Sequence, residues 1–84
     1  MPRRSPFEIG LTFEEEQELT RRATSYTLPY SSVVRARMIL FAAKGMTNDQ
    51  IATKLGTRRE VVSRWRKRFF MYRLDGLETK HKRR

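Results

Sequence analysis

The chain has 84 residues, of which 38% are apolar, with 19 Lys and Arg against 9 Asp and Glu and a formal net charge of +10. A chain of this size buries roughly 60% of its unfolded surface, enough for one core of three or four helices but not for a catalytic domain beside it. The absence of cysteine excludes a disulfide scaffold and thiolate metal sites. The single His81 sits in a basic stretch with no neighbouring ligand type, and the longest apolar run, Met38 to Ala43, is far too short to cross a bilayer.

Along the chain, the acids cluster early: Glu8, Glu14, Glu15, Glu16 and Glu18 all precede residue 20. Thr12 followed by Glu15 matches a capping box, and acids in a first helical turn favour the helix dipole, so a first helix is expected from about Phe13 to Ser25. Leu19, Ala23 and Tyr26 form its inward stripe, and Leu28-Pro29-Tyr30 breaks it. The Glu14 to Glu18 cluster reads as a helix start and not as a metal or catalytic carboxylate site. Ser31 or Ser32 is expected to cap a second helix running to about Lys44 and closed by Gly45. That helix carries two apolar stripes, Ala36, Ile39, Leu40 and Ala43 on one side and Val34, Met38 and Phe41 on the other, which implies a helix packed between two partners. No stretch alternates apolar and polar residues as a half-buried strand would.

Thr47 with Gln50 forms a second capping box and begins a short helix, Asn48 to Leu55, with Ile51, Ala52 and Leu55 inward and Gly56 at its exit. Thr57 or Arg58 opens a longer helix to about Tyr72, on which Val62, Trp65 and Phe69 make the core stripe. A short helix, a glycine turn and a longer helix are the pattern of a helix-turn-helix, spanning about residues 47–72. From Thr57 to Arg84 there are eleven basic residues against three acidic ones. This surplus points to duplex nucleic acid as the partner.

The second helix of such a unit lies in the major groove. Its outward positions here are Glu60, Ser63, Arg64 and Lys67, with Arg59 on the shoulder, and these are the candidate base contacts. An arginine can donate two bonds to guanine O6 and N7, a serine can reach a base or phosphate, and a glutamate can accept from cytosine N4. Lys67 also has the reach for a phosphate. Thr47, Arg58, Arg66, Arg68 and Arg73 are the candidate phosphate contacts, which set affinity without reading sequence. Phe70 and Tyr72 fall off the core stripe and are available to cover the first helix or to pair two copies of the chain.

The stretch Ser32-Val33-Val34-Arg35-Ala36-Arg37-Met38-Ile39-Leu40, with Ala43-Lys44-Gly45-Met46-Thr47-Asn48, Ile51-Ala52-Thr53-Lys54-Leu55-Gly56 and Val61-Val62-Ser63-Arg64-Trp65-Arg66-Lys67-Arg68-Phe69, resembles the N-terminal region of insertion-sequence 630-type transposases, relatives of the mariner superfamily. Leu11-Thr12 and Arg73-Leu74-Asp75-Gly76-Leu77-Glu78 extend the likeness to roughly residues 9–78. The resemblance implies a homeodomain-like helix-turn-helix that recognises terminal inverted repeats ahead of a separate domain with three carboxylates and divalent metal. Here the only aspartates are Asp49 and Asp75, and Thr79-Lys80-His81-Lys82-Arg83-Arg84 stands where an Arg/Pro/Gly linker is expected, so the transposition chemistry does not carry over to this chain.

The expected protein is therefore all-α: a small homeodomain-like bundle with an extra N-terminal helix. Residues 1–11 form an arm, 12–74 the DNA-binding domain and 75–84 a basic tail or linker. It is expected to be no enzyme, to need no metal, cofactor or small-molecule ligand, to touch no membrane, and to work on the nucleoid in bacterial cytoplasm. Two other functions fit the same composition: a free-standing transcriptional regulator, and a basic helical adaptor that contacts RNA or protein.

Overall fold

A computed structural model describes residues 8–77, which form four α-helices and a closing 3₁₀ turn: α1 (Phe13–Ala23), α2 (Tyr30–Ala43), α3 (Asn48–Leu55), α4 (Arg59–Tyr72) and the turn Arg73–Leu77. Of the expected arm and basic tail, residues 1–7 and 78–84 lie outside the described residues. No described helix is long and apolar enough to cross a membrane.

Two of the four helix starts, those of α1 and α3, are capped by side chains. The Thr12 hydroxyl accepts from the Glu15 N–H at 3.1 Å while the Glu15 carboxylate accepts from the Thr12 N–H at 3.0 Å. Thr47 and Gln50 repeat the exchange at 3.1 and 2.9 Å. Both boxes satisfy backbone donors that a helix start leaves open.

α1 stops two residues before its expected end. Thr24 Oγ1 donates to the Thr20 carbonyl at 2.9 Å, and Ser25 Oγ accepts from the N–H groups of Thr27 and Leu28, both at 3.1 Å. These side chains turn the backbone out of the helix. Tyr26 therefore leaves the inward stripe and is fully exposed, whereas Leu19 and Ala23 are buried as expected. α2 begins at Tyr30 with Pro29 as its cap residue, so Ser31 and Ser32 sit inside the first turn and cap nothing. Proline has a fixed φ and no N–H to leave unpaired, which makes it a suitable entry to a helix.

α2 touches α1 on one side and α3 and α4 on another, the sandwich its two stripes imply. Ala36, Met38 and Ile39 are buried, joined by Val33 and Ala42, while Val34, Leu40, Phe41 and Ala43 pack half-buried against the core. Gly45 exits α2 at φ +93° and Gly56 ends α3 at φ +70°. A methyl group at either would meet nothing, so the positive φ, and not space, is what calls for glycine there.

The 3₁₀ turn closes the body. Arg73 adopts φ +59°, a strained value for a non-glycine residue, and its guanidinium donates to Glu15 through Nε at 2.9 Å and through a terminal nitrogen at 2.6 Å. The same terminal nitrogen donates to the Gly10 carbonyl at 2.5 Å, and the group lies 4.7 Å from the Phe69 ring centre. A Cβ at Gly76 would run into the Arg68 carbonyl, so only glycine lets the turn fold back on α4. Ile9 and Leu77 are buried, and the packed body thus reaches beyond residues 12–74 at both ends.

The Arg73 guanidinium holds the Glu15 carboxyl below its usual range, with burial opposing and the Thr12 N–H assisting. Arg21 and Arg22 likewise hold Glu18 down to about 2. A carboxylate whose pKa is depressed by folding stabilises the fold above the unfolded value of 4.5 and loses that contribution as pH falls toward the folded value. Chemical denaturation should therefore show stability falling steadily below about pH 4.5, and the fall should flatten in a Glu15→Gln/Glu18→Gln double variant. An unchanged acid limb in the double variant would contradict both ion pairs.

Candidate nucleic-acid interface

α3, Gly56 and α4 form the helix-turn-helix. Ile51, Val62 and Phe69 are fully buried and Ala52 nearly so, while Leu55 and Trp65 are half-buried at the edge of the same core. With this stripe inward, the opposite side of α4 presents Glu60, Arg64 and Lys67, all exposed, with Ser63 half-buried beside them. Arg59, in the first turn of α4, is exposed and lies 3.7 Å from the Asp49 carboxylate on α3. Arg58, at the α4 cap, is exposed, and Thr47 is half-buried at the start of α3 with its hydroxyl accepting from Gln50. The five expected base-reading residues thus lie together on one side of one helix.

The expected phosphate contacts divide. Arg68 is exposed on the flank of α4, where its Nε donates to the Gly76 carbonyl at 2.7 Å. Arg66 differs: it is only 5% exposed, and one terminal nitrogen donates to the Met46 carbonyl and to Asn48 Oδ1, both at 3.0 Å. Burial lowers its pKa, with the Glu8 charge opposing. Arg73 is engaged with Glu15 and Gly10. The assignment of Arg66 and Arg73 to phosphates is therefore corrected: the Arg66 guanidinium is anchored inside the fold, and that of Arg73, although partly exposed, is taken up by Glu15 and Gly10.

The signal for Arg66 was present in the spacing. Val62, Arg66 and Phe69 fall at i, i+4 and i+7, as good an inward stripe as Val62, Trp65 and Phe69. A guanidinium can occupy such an inward position when acceptors on the fold receive its N–H groups. For Arg73 no local signal existed, because Glu15 lies 58 residues away.

Trp65 sits at the margin of the core and not in its centre. Arg35 of α2 stacks on its ring at 4.0 Å from the centroid, and Arg68 lies at 5.2 Å. Beyond Trp65, Phe70, Met71 and Tyr72 leave 44%, 54% and 58% of their surface exposed at the end of α4.

The homeodomain-like domain family matches residues 29–78, more than half of the chain. The chain belongs to the homeodomain-like family. No curated protein and no solved structure matches it. The matched span takes in α2, α3, α4 and the 3₁₀ turn, so α1 is an addition in front of the homeodomain-like unit. Homeodomain-like helix-turn-helix units are DNA-binding folds, with the last helix as the reader.

Removing the Arg66 guanidinium should leave the Met46 carbonyl and the Asn48 amide without their donor. An Arg66→Ala variant is expected to lose about 1–3 kcal/mol of unfolding free energy by chemical denaturation. A loss below about 0.5 kcal/mol, the range of ordinary surface changes, would show that the group is not buried in solution.

Proposed function

We propose that this protein binds double-stranded DNA at a defined sequence, with α4 in the major groove, as the terminal-repeat-binding region of a transposase. The observation that carries this reading is the exposed face of Glu60, Arg64 and Lys67 on α4, held opposite the buried Val62 and Phe69. Arg59 and Arg64 donate to guanine edges, Ser63 and Lys67 reach a base or its neighbouring phosphate, and Glu60 accepts from cytosine. Arg58, Arg68 and the start of α3 at Thr47 grip the phosphates on either side.

The motif likeness from Ser32 through Glu78 to insertion-sequence 630-type transposases favours a transposase over a free-standing regulator. On this reading the protein works at the bacterial nucleoid. A second copy of the chain, meeting it through Phe70 and Tyr72, would suit a site made of two inverted halves.

Selection of bound duplexes from a random pool tests the proposal. The expected result is one recurrent site, found as an inverted pair at the ends of an insertion element. A recurrent site in promoters alone would favour a regulator, and an unenriched pool would favour the adaptor reading.

Against the selected site, Ala at Arg59 or Arg64 should weaken binding by about 1–3 kcal/mol, with a much smaller loss on a scrambled duplex. Ala at Arg58 should weaken both duplexes alike and flatten the log affinity against log salt slope by about 0.9. Arg66→Ala and Arg73→Ala should leave that slope unchanged wherever the variant remains folded. If Arg66→Ala flattens the slope and Arg64→Ala does not affect base preference, α4 faces the duplex with its other side.

A further inference from the structure

Trp65 is the only tryptophan of the chain, and two guanidinium groups share its ring, Arg35 from α2 and Arg68 from α4. The same two arginines also hold the end of the 3₁₀ turn: Arg68 Nε donates to the Gly76 carbonyl at 2.7 Å and an Arg35 terminal nitrogen to the Leu77 carbonyl at 3.4 Å. Three elements therefore hold two positive charges around one indole ring. Arg21 and Arg22 meet the Glu18 carboxylate, and Arg73 that of Glu15. Arg35 and Arg68 have no carboxylate partner among the described residues.

Adjacent like charges repel, and the Arg35 pKa is lowered by burial and then by the Arg68 charge. An anion between them relieves both costs. Each guanidinium carries five N–H donors and uses one on a carbonyl, so donors remain for an oxyanion held by both groups. Stacking on one indole and anchoring at consecutive carbonyls restrict both side chains in advance, which lowers the entropy lost on binding. Arg68 lies one turn beyond Arg64 on α4, so the pair flanks the face assigned to the groove.

We propose that Arg35 and Arg68, stacked on Trp65, jointly bind one backbone phosphate of the duplex beside the groove that α4 enters. The contact rests on the DNA-binding reading above and adds α2, outside the helix-turn-helix, to the binding surface. It gives Trp65 a second role as the platform that spaces the two guanidinium groups.

Affinities of Arg35→Gln, Arg68→Gln and the double variant for a selected duplex, over a range of salt, test the shared contact. Each single change is expected to weaken binding roughly tenfold. The double change should weaken it by less than the product of the two, because either loss breaks the same two-armed contact. Its salt slope should be shallower by about 0.9, one phosphate's worth. Wild-type binding and slope in Arg35→Gln, or losses that multiply in the double variant, would overturn the proposal. In the wild-type protein, which needs no variant to fold, arginine modification by phenylglyoxal mapped by mass spectrometry should fall at Arg35 and Arg68 together when duplex is added, and not at Arg21. Arg35 reacting equally with and without duplex would overturn it too. Loss of binding in Arg64→Ala with none in Arg35→Gln fails this proposal alone, whereas a wild-type chain that binds no duplex fails the DNA-binding reading and this contact with it.

Discussion

The buried guanidinium of Arg66 joins α4 to the entry of α3, and the side of α4 that meets solvent depends on it. One of its nitrogens donates to the Met46 carbonyl just before α3 and to the Asn48 side chain in the first turn of α3. Together with Val62 and Phe69 at the same azimuth, these bonds fix the rotation of α4 about its own axis. Arg64, two residues earlier, lies about 200° around the helix and must then point outward. The proposed recognition surface needs such a constraint, because a rotation of one residue's width would replace Arg64 and Lys67 by different side chains. The polar bond supplies an angular definition that apolar packing alone leaves looser.

α1 and the 3₁₀ turn hold this unit from the other side. α1 lies against α2, and the bidentate contact of Arg73 with Glu15 ties the end of α4 to the start of α1. The positive φ of Arg73 is affordable because the side chain is held by Glu15, Gly10 and the Phe69 ring at once. Gly76 then lets the chain pass close over Arg68, which places Leu77 in the core and its carbonyl beside Arg35. The homeodomain-like unit is thus closed by a segment that follows its last helix and by one that precedes its first.

What could be read in the sequence was local. Both capping boxes, the exits at Gly45 and Gly56 and the limits of α3 depend on residues within four positions of one another, and all stand as read. Tyr26 was misplaced because a helical stripe was extended past a turn that Ser25 makes with its own hydroxyl. The charge of Arg66 and Arg73 suggests a DNA surface, whereas their acceptors, Met46 and Glu15, lie 20 and 58 residues away and leave no local mark. Trp65 fell between the two, since the stripe predicted its contact with the core but not the arginine from α2 that covers its ring. The exposed side of α4 was legible only insofar as the buried side was.

The measurement that bears most directly on this account is the map of backbone amide shifts on titration with a selected duplex. The largest changes should fall along α4 from Arg58 to Arg68 and at the start of α3 around Thr47, with the outer face of α1, Glu14 to Arg21, unmoved. Changes centred on α1, or on Phe70 to Tyr72 with residues 58–68 silent, would contradict the assignment of α4 as the DNA-reading helix.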